Sequence, residues 1–181
     1  MPPTDSSALP ATCTGVRGAV VAAASAGVAA TILLRYGPTG RGAVAALLAA
    51  LLVVLSAIDL DRRVLPNAIV LPAIAVALPA QAFLSPGRWL EWTLAAFGAA
   101  LLLLLPLLAG RAGVGMGDVK LAFLLGLVLG EGVMLAIVVA SLAVLPVALV
   151  LVARYGSAAM KIGVPFGPFL ALGAVVAMLV G

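Results

Sequence analysis

Two acidic clusters are the only residues in this chain with the makings of water-activating chemistry. One is Asp59-Leu60-Asp61, followed by Arg62-Arg63. The other is Asp118, in the run Arg111-Ala112-Gly113-Val114-Gly115-Met116-Gly117-Asp118-Val119-Lys120. Both lie against long hydrophobic stretches, and at mid-membrane an unpartnered carboxylate costs about 2.5–3.5 kcal/mol or more. If Asp59 and Asp118 meet in the fold, they cannot both ionise easily, so one keeps its proton while the other carries charge. Such a pair can draw a proton from water and polarise a carbonyl at once, with no metal or covalent intermediate. The chain has no histidine and one cysteine, Cys13, which excludes an internal disulfide, Ser-His-Asp catalysis and a His/Cys zinc site. No metal ligands and no cofactor are expected.

Spacing alone leaves other readings open. Asp118 follows Gly115 and Gly117 and could be no more than the cap of the next helix. On the functional reading those two glycines permit positive φ or close approach by another segment, and the helix N-terminus favours a charged carboxylate. Asp59 could belong to an ordinary cluster at a membrane surface. Asp61, two residues on, faces elsewhere and is expected to pair with an arginine or meet water. Lys120 could bind a substrate's acidic or carbonyl groups or reach for lipid headgroups, whereas Lys161 reads as a headgroup residue. Phe166 and Phe169 read as packing residues.

The elements that must position these groups follow from composition. Of 181 residues, 65% are apolar and 9% charged, against about 25% charged in soluble domains. The implied architecture is an all-α, polytopic transmembrane bundle of about six or seven spans, because lipid demands that every backbone group be bonded within its own helix. The spans are expected at 18–34, 42–58, 68–84, 93–109, 133–152 and 164–180, with a short helix at 119–129. Residues 1–17 read as a flexible tail, and 18–181 as one membrane-embedded domain. Pro72, Pro79, Pro106 and Pro146 fall inside spans and call for neighbouring helices to cover the freed carbonyls. Gly126 and Gly130 form a Gly-x-x-x-Gly pair suited to close helix contact.

The net charge of +4 comes from lysines and arginines scattered between hydrophobic runs, so it reports membrane topology and gives no patch for nucleic acid. The tail and the loops after spans two, four and six hold seven Lys/Arg; the opposite loops hold Arg35, Arg41 and Arg88. That bias places the N-terminus and both aspartate loops in the cytoplasm. From Asp118 to Glu131, a helix climbs only about 20 Å at about 1.5 Å per residue, short of a hydrocarbon core about 30 Å thick. Either Asp118 sits below the inner face in a wet recess, or the short helix runs past Glu131 or re-enters the membrane.

Three segments carry a resemblance. Ser56-Ala57-Ile58-Asp59-Leu60-Asp61-Arg62-Arg63-Val64-Leu65-Pro66-Asn67, Gly115-Met116-Gly117-Asp118-Val119-Lys120-Leu121 and Pro165-Phe166-Gly167-Pro168-Phe169 resemble, in order, the motifs of type IV prepilin peptidases, the second being their GxGD motif. The likeness covers about residues 43–178. It implies a membrane aspartic endopeptidase of the cytoplasmic membrane that trims the leader from prepilins or pseudopilins at the cytoplasmic face, with Asp59 and Asp118 as the catalytic pair. Gly115, Gly117 and Lys120 would belong to the loop around them. Asn67 stands where that family often has Asp. With Cys13 as the sole cysteine, the chain is similar to the short, peptidase-only form, without the paired Cys-x-x-Cys motifs that accompany N-methylation. The competing class is a small transporter or membrane scaffold using the acids for ion passage or assembly. The oligomeric state is left open.

Overall fold

The computed structural model describes residues 11–62, 65–108, 115–156 and 165–181, with side chains from Arg17 onward. Arg63, Arg111, Gly113 and Lys161 lie outside the described residues. All regular structure among the described residues is helical: α1 (Ala11–Tyr36), α2 (Gly40–Arg62), α3 (Asn67–Leu84), α4 (Trp89–Leu108), α5 (Met116–Leu129), α6 (Gly132–Tyr155) and α7 (Gly167–Val180). α1, α2, α3, α4 and α6 are long and apolar enough to cross a membrane. α5 and α7 have 14 residues each, so the six or seven expected spans resolve into five long helices and two short ones. The chain is a multi-pass membrane protein.

Helix α1 begins at Ala11, seven residues ahead of the expected span, so the second part of the expected tail is helical. Once the apolar span has nucleated a helix, adding residues ahead of it costs little, and no proline interrupts residues 11–17. The interior prolines are tolerated as expected, two in α3 and one each in α4 and α6.

α5 is the hub. It touches every other helix except α1, and Val119, Leu121, Ala122, Leu124, Leu125 and Leu127 are buried around its circumference. A helix apolar on all sides is one enclosed by others. It ends where Gly130 takes φ +58°, and α6 starts at Gly132. It therefore does not run past Glu131, and at about 1.5 Å per residue it is about 21 Å long. The strongest pairings are α1 with α2, α4 with α5 and α6 with α7, whereas α2 and α3, though consecutive, barely touch.

Small residues set two of these contacts. The Gly126/Gly130 pair faces α4: a Cβ on Gly126 would strike the Ala96 backbone, and one on Gly130 would strike the Trp92 ring. Gly173 of α7 lies against the Ala136 carbonyl of α6 in the same way. Gly→Ala in a helix ordinarily stabilises by about 1 kcal/mol. Here Gly126→Ala and Gly173→Ala are expected to destabilise by about 1–3 kcal/mol, because backbone cannot move aside as a side chain can. Gly98→Ala in α4, where a Cβ meets nothing within 4 Å, is expected to stabilise instead. Thermal unfolding of the three variants in detergent tests this reversal of sign.

Candidate active site

Asp59 lies one turn before the end of α2, and Asp118 lies in the first turn of α5. Both are buried, at 5% and 7% exposure. They line one cavity of about 380 Å³, together with Leu65, Asn67, Gly115, Met116, Gly117 and Lys120. The fold thus brings together both expected aspartates and all three residues expected around them.

Each carboxylate receives one backbone donor. The Gly115 N–H donates to Asp118 Oδ2 at 2.8 Å, which satisfies a free donor at the start of α5. With glycine as N-cap, this is the half of a capping box that needs only the acidic partner. So the cap reading of Asp118 and its place in the cavity hold together. The Gly167 N–H donates to Asp59 Oδ2 at 3.1 Å across the bundle, and it lies at the first turn of α7, where the helix dipole favours negative charge. A Cβ on Gly167 would sit 2.7 Å from that same oxygen. The Pro-Phe-Gly segment therefore serves as a glycine that lets a carboxylate reach a helix N-terminus. That role was not read from the sequence, although a glycine opening a helix beside Pro168 was a usable signal.

Of the two uses expected of the GxG glycines, positive φ is not seen and close approach is met at Gly117. Gly115 is extended at φ −95°, and the positive-φ glycines among the described residues are Gly37, Gly130 and Gly156. Gly117 matters through space: a Cβ there would lie 2.8 Å from the Leu65 Cβ, so it lets the segment after α2 close over the start of α5. Lys120 does not pair with either acid. Its Nζ donates to Asn67 Oδ1 at 2.8 Å, tying α5 to the start of α3 at the cavity's edge. Asp61 pairs with Arg17 of α1 at 3.4 Å on the exposed surface, as an arginine partner was expected. Phe166 and Phe169 pack partly buried against the core. A second cavity, of about 700 Å³, lies at the other end of α5 beside Arg41, Arg88 and Trp92, and includes neither acid.

Burial pushes the Asp118 carboxyl up to about 6; the Gly115 N–H works against this, and the negative charge of Asp59 adds a smaller upward push. Burial therefore shifts Asp118 toward its neutral form. A group raised in this way contributes stability that is full below its unfolded value near 3.8 and is lost as pH rises through about 6. Wild-type stability is expected to fall between about pH 3 and about pH 7 by up to about 3 kcal/mol relative to Asp118→Asn, which does not titrate. Paired thermal melts across that range check the sign.

With no metal-binding cluster of three or more His, Cys, Asp or Glu among the described residues, the arrangement is an acid pair in a small polar recess at one end of a membrane bundle. The profile of the Type IV leader peptidase family matches residues 46–149, and the chain belongs to that family. It is similar to proteins named prepilin leader peptidase/N-methyltransferase. It is 34% identical over 176 residues to one from Burkholderia pseudomallei, covering 92% of this chain and 56% of the relative. It is 32% identical over 174 residues to one from Pseudomonas putida and 30% identical over 175 residues to one from Pseudomonas aeruginosa, in each case covering 92% of this chain and 59% of the relative. The chain thus spans somewhat over half the length of these relatives. No solved structure matches it.

Proposed function

We propose that this chain is an aspartic endopeptidase that removes the leader from type IV prepilin-like precursors, with Asp59 and Asp118 as its catalytic pair. The observation that carries the reading is that two acids 59 positions apart in a membrane protein of this family line one recess, each with its own backbone donor. Of the pair, Asp118, whose carboxyl is pushed up to about 6, holds the proton and donates it to the scissile carbonyl oxygen. Asp59, facing the N-terminus of α7, carries the charge and takes a proton from water as the water oxygen attacks the carbonyl carbon. The tetrahedral intermediate collapses when the leaving nitrogen gains a proton, from Asp59, and Asp118 recovers its own from the carbonyl-derived hydroxyl. No third group is required.

Gly115 and Gly117 line the recess without side chains, Gly117 leaving room for Leu65, and the Lys120–Asn67 bond ties α5 to α3 at its edge. The Lys/Arg bias supports a recess on the cytoplasmic side, with the leader entering from the cytoplasm. The proposal covers the peptidase step alone. Nothing among the described residues favours the transporter or scaffold alternative.

The test is direct incubation of the detergent-solubilised protein with prepilins or pseudopilins. The expected product has lost the mass of the leader and has a new N-terminus just after the leader's last glycine. A precursor that stays intact with every substrate offered would refute the proposal.

A further inference from the structure

We infer that the groove between α2 and α3 holds the hydrophobic helix of the polypeptide being cut, an inference that rests on the peptidase reading. The groove has a volume of about 410 Å³ and is lined entirely by apolar residues of α2, α3 and α5, among them Leu47, Leu51, Ala68, Ala73, Val76 and Leu124. It exists because α2 and α3 barely touch, α3 packing against α5 instead.

Three observations give the groove its occupant. First, it adjoins the carboxylate recess along two walls. Asn67 lines the recess, and Ala68, the next residue of α3, lines the groove. On α5, Lys120 lines the recess and Leu124, one turn further on the same face, lines the groove. Second, its α3 wall runs from Ala68 to Ala80, about 18 Å at about 1.5 Å per residue, which is the scale of a helix passing through one leaflet. Third, its lips face outward: Leu47 is 67% and Val76 62% exposed, so an occupant can enter sideways from the bilayer.

A peptide that reaches the recess from inside the membrane must satisfy its own backbone, so the part lying in the groove must be an apolar helix. Alanines along the α3 wall let such a helix come close. The leader then lies on the water side of the acids and the apolar segment on the membrane side. The bond that is cut is the one at the border between them.

The experiment uses two peptide substrates: one with an apolar segment after the scissile bond, and one ending a few residues beyond it. Ala73→Phe, which fills the groove away from the acids, is expected to raise KM for the long substrate about tenfold or more at unchanged kcat, as loss of uniform binding does. Cleavage of the short substrate is expected to be unaffected. Independently, a photoreactive benzoylphenylalanine at Val76 is expected to cross-link the long substrate, and one at the lipid-facing Leu101 of α4, 55% exposed, is not. An unchanged KM, equal cross-linking at both positions, or cross-links to lipid alone at Val76 would overturn the groove assignment. If the wild-type protein cuts neither peptide, the peptidase reading falls, and the cross-link, which needs no turnover, still decides whether the groove takes the helix.

Discussion

Asp59→Asn and Asp118→Asn are each expected to abolish leader removal, with a loss of about a thousandfold or more, while the protein still folds. In the proposed mechanism the two acids have complementary roles, so losing either removes the step: without Asp59 no base faces the water, and without Asp118 no acid faces the carbonyl. General acid–base groups are worth about 10²–10⁴ each, and residues that act as a unit lose nearly everything together, so the double variant is expected to be no worse than either single one. Asn keeps the size and the acceptor oxygen, which preserves the bonds from Gly115 and Gly167. The measurement is the rate of appearance of the trimmed product, with a thermal melt as the folding control. Processing retained by either variant would remove that residue from the catalytic pair.

Gly167→Ala is expected to lower kcat by about a hundredfold with little loss of stability. An added Cβ would sit 2.7 Å from Asp59 Oδ2. The atom in its way is the free end of a side chain, so the fold yields cheaply by turning the carboxylate aside. That turn moves the proposed base and lengthens its bond from the Gly167 N–H. A displacement of about 1 Å in a reacting group can cost about a hundredfold in rate. Gly117→Ala provides the contrast: its Cβ would press on Leu65, a residue of the recess wall, and it should act on both rate and stability. Comparing kcat with melting temperature for the two variants separates a misplaced carboxylate from a displaced wall. Equal activity of Gly167→Ala and wild type would refute the role given to the α7 N-terminus.

The bundle could be read from hydrophobic run length, since a membrane leaves helices as the only fit for Leu/Ala/Val stretches without alternation. The meeting of Asp59 and Asp118 was legible too, because a carboxylate beside a lipid-length run needs a reason, and the two acids could supply one for each other. What stayed hidden is contact between distant segments that chain order does not encode. The Gly167–Asp59 bond joins residues 108 positions apart, and composition holds no trace of it. Of the two uses expected of Gly117, close approach holds and positive φ does not: a glycine's value as empty space depends on its neighbour, here Leu65, while positive φ is a property of the local chain alone. The start of α1 at Ala11 was missed because a polar, Thr-containing lead-in looks like tail by composition, although nothing in it stops a helix.

The position of α1 has a consequence for how the protein can vary. It leans chiefly on α2, never reaches α5, and holds Asp61 only through an exposed ion pair, a kind worth about 0–1 kcal/mol. The family profile itself starts at residue 46, inside α2. A foreign segment fused ahead of this outermost helix therefore leaves the carboxylates in their places, making the start of α1 the natural seam for grafting.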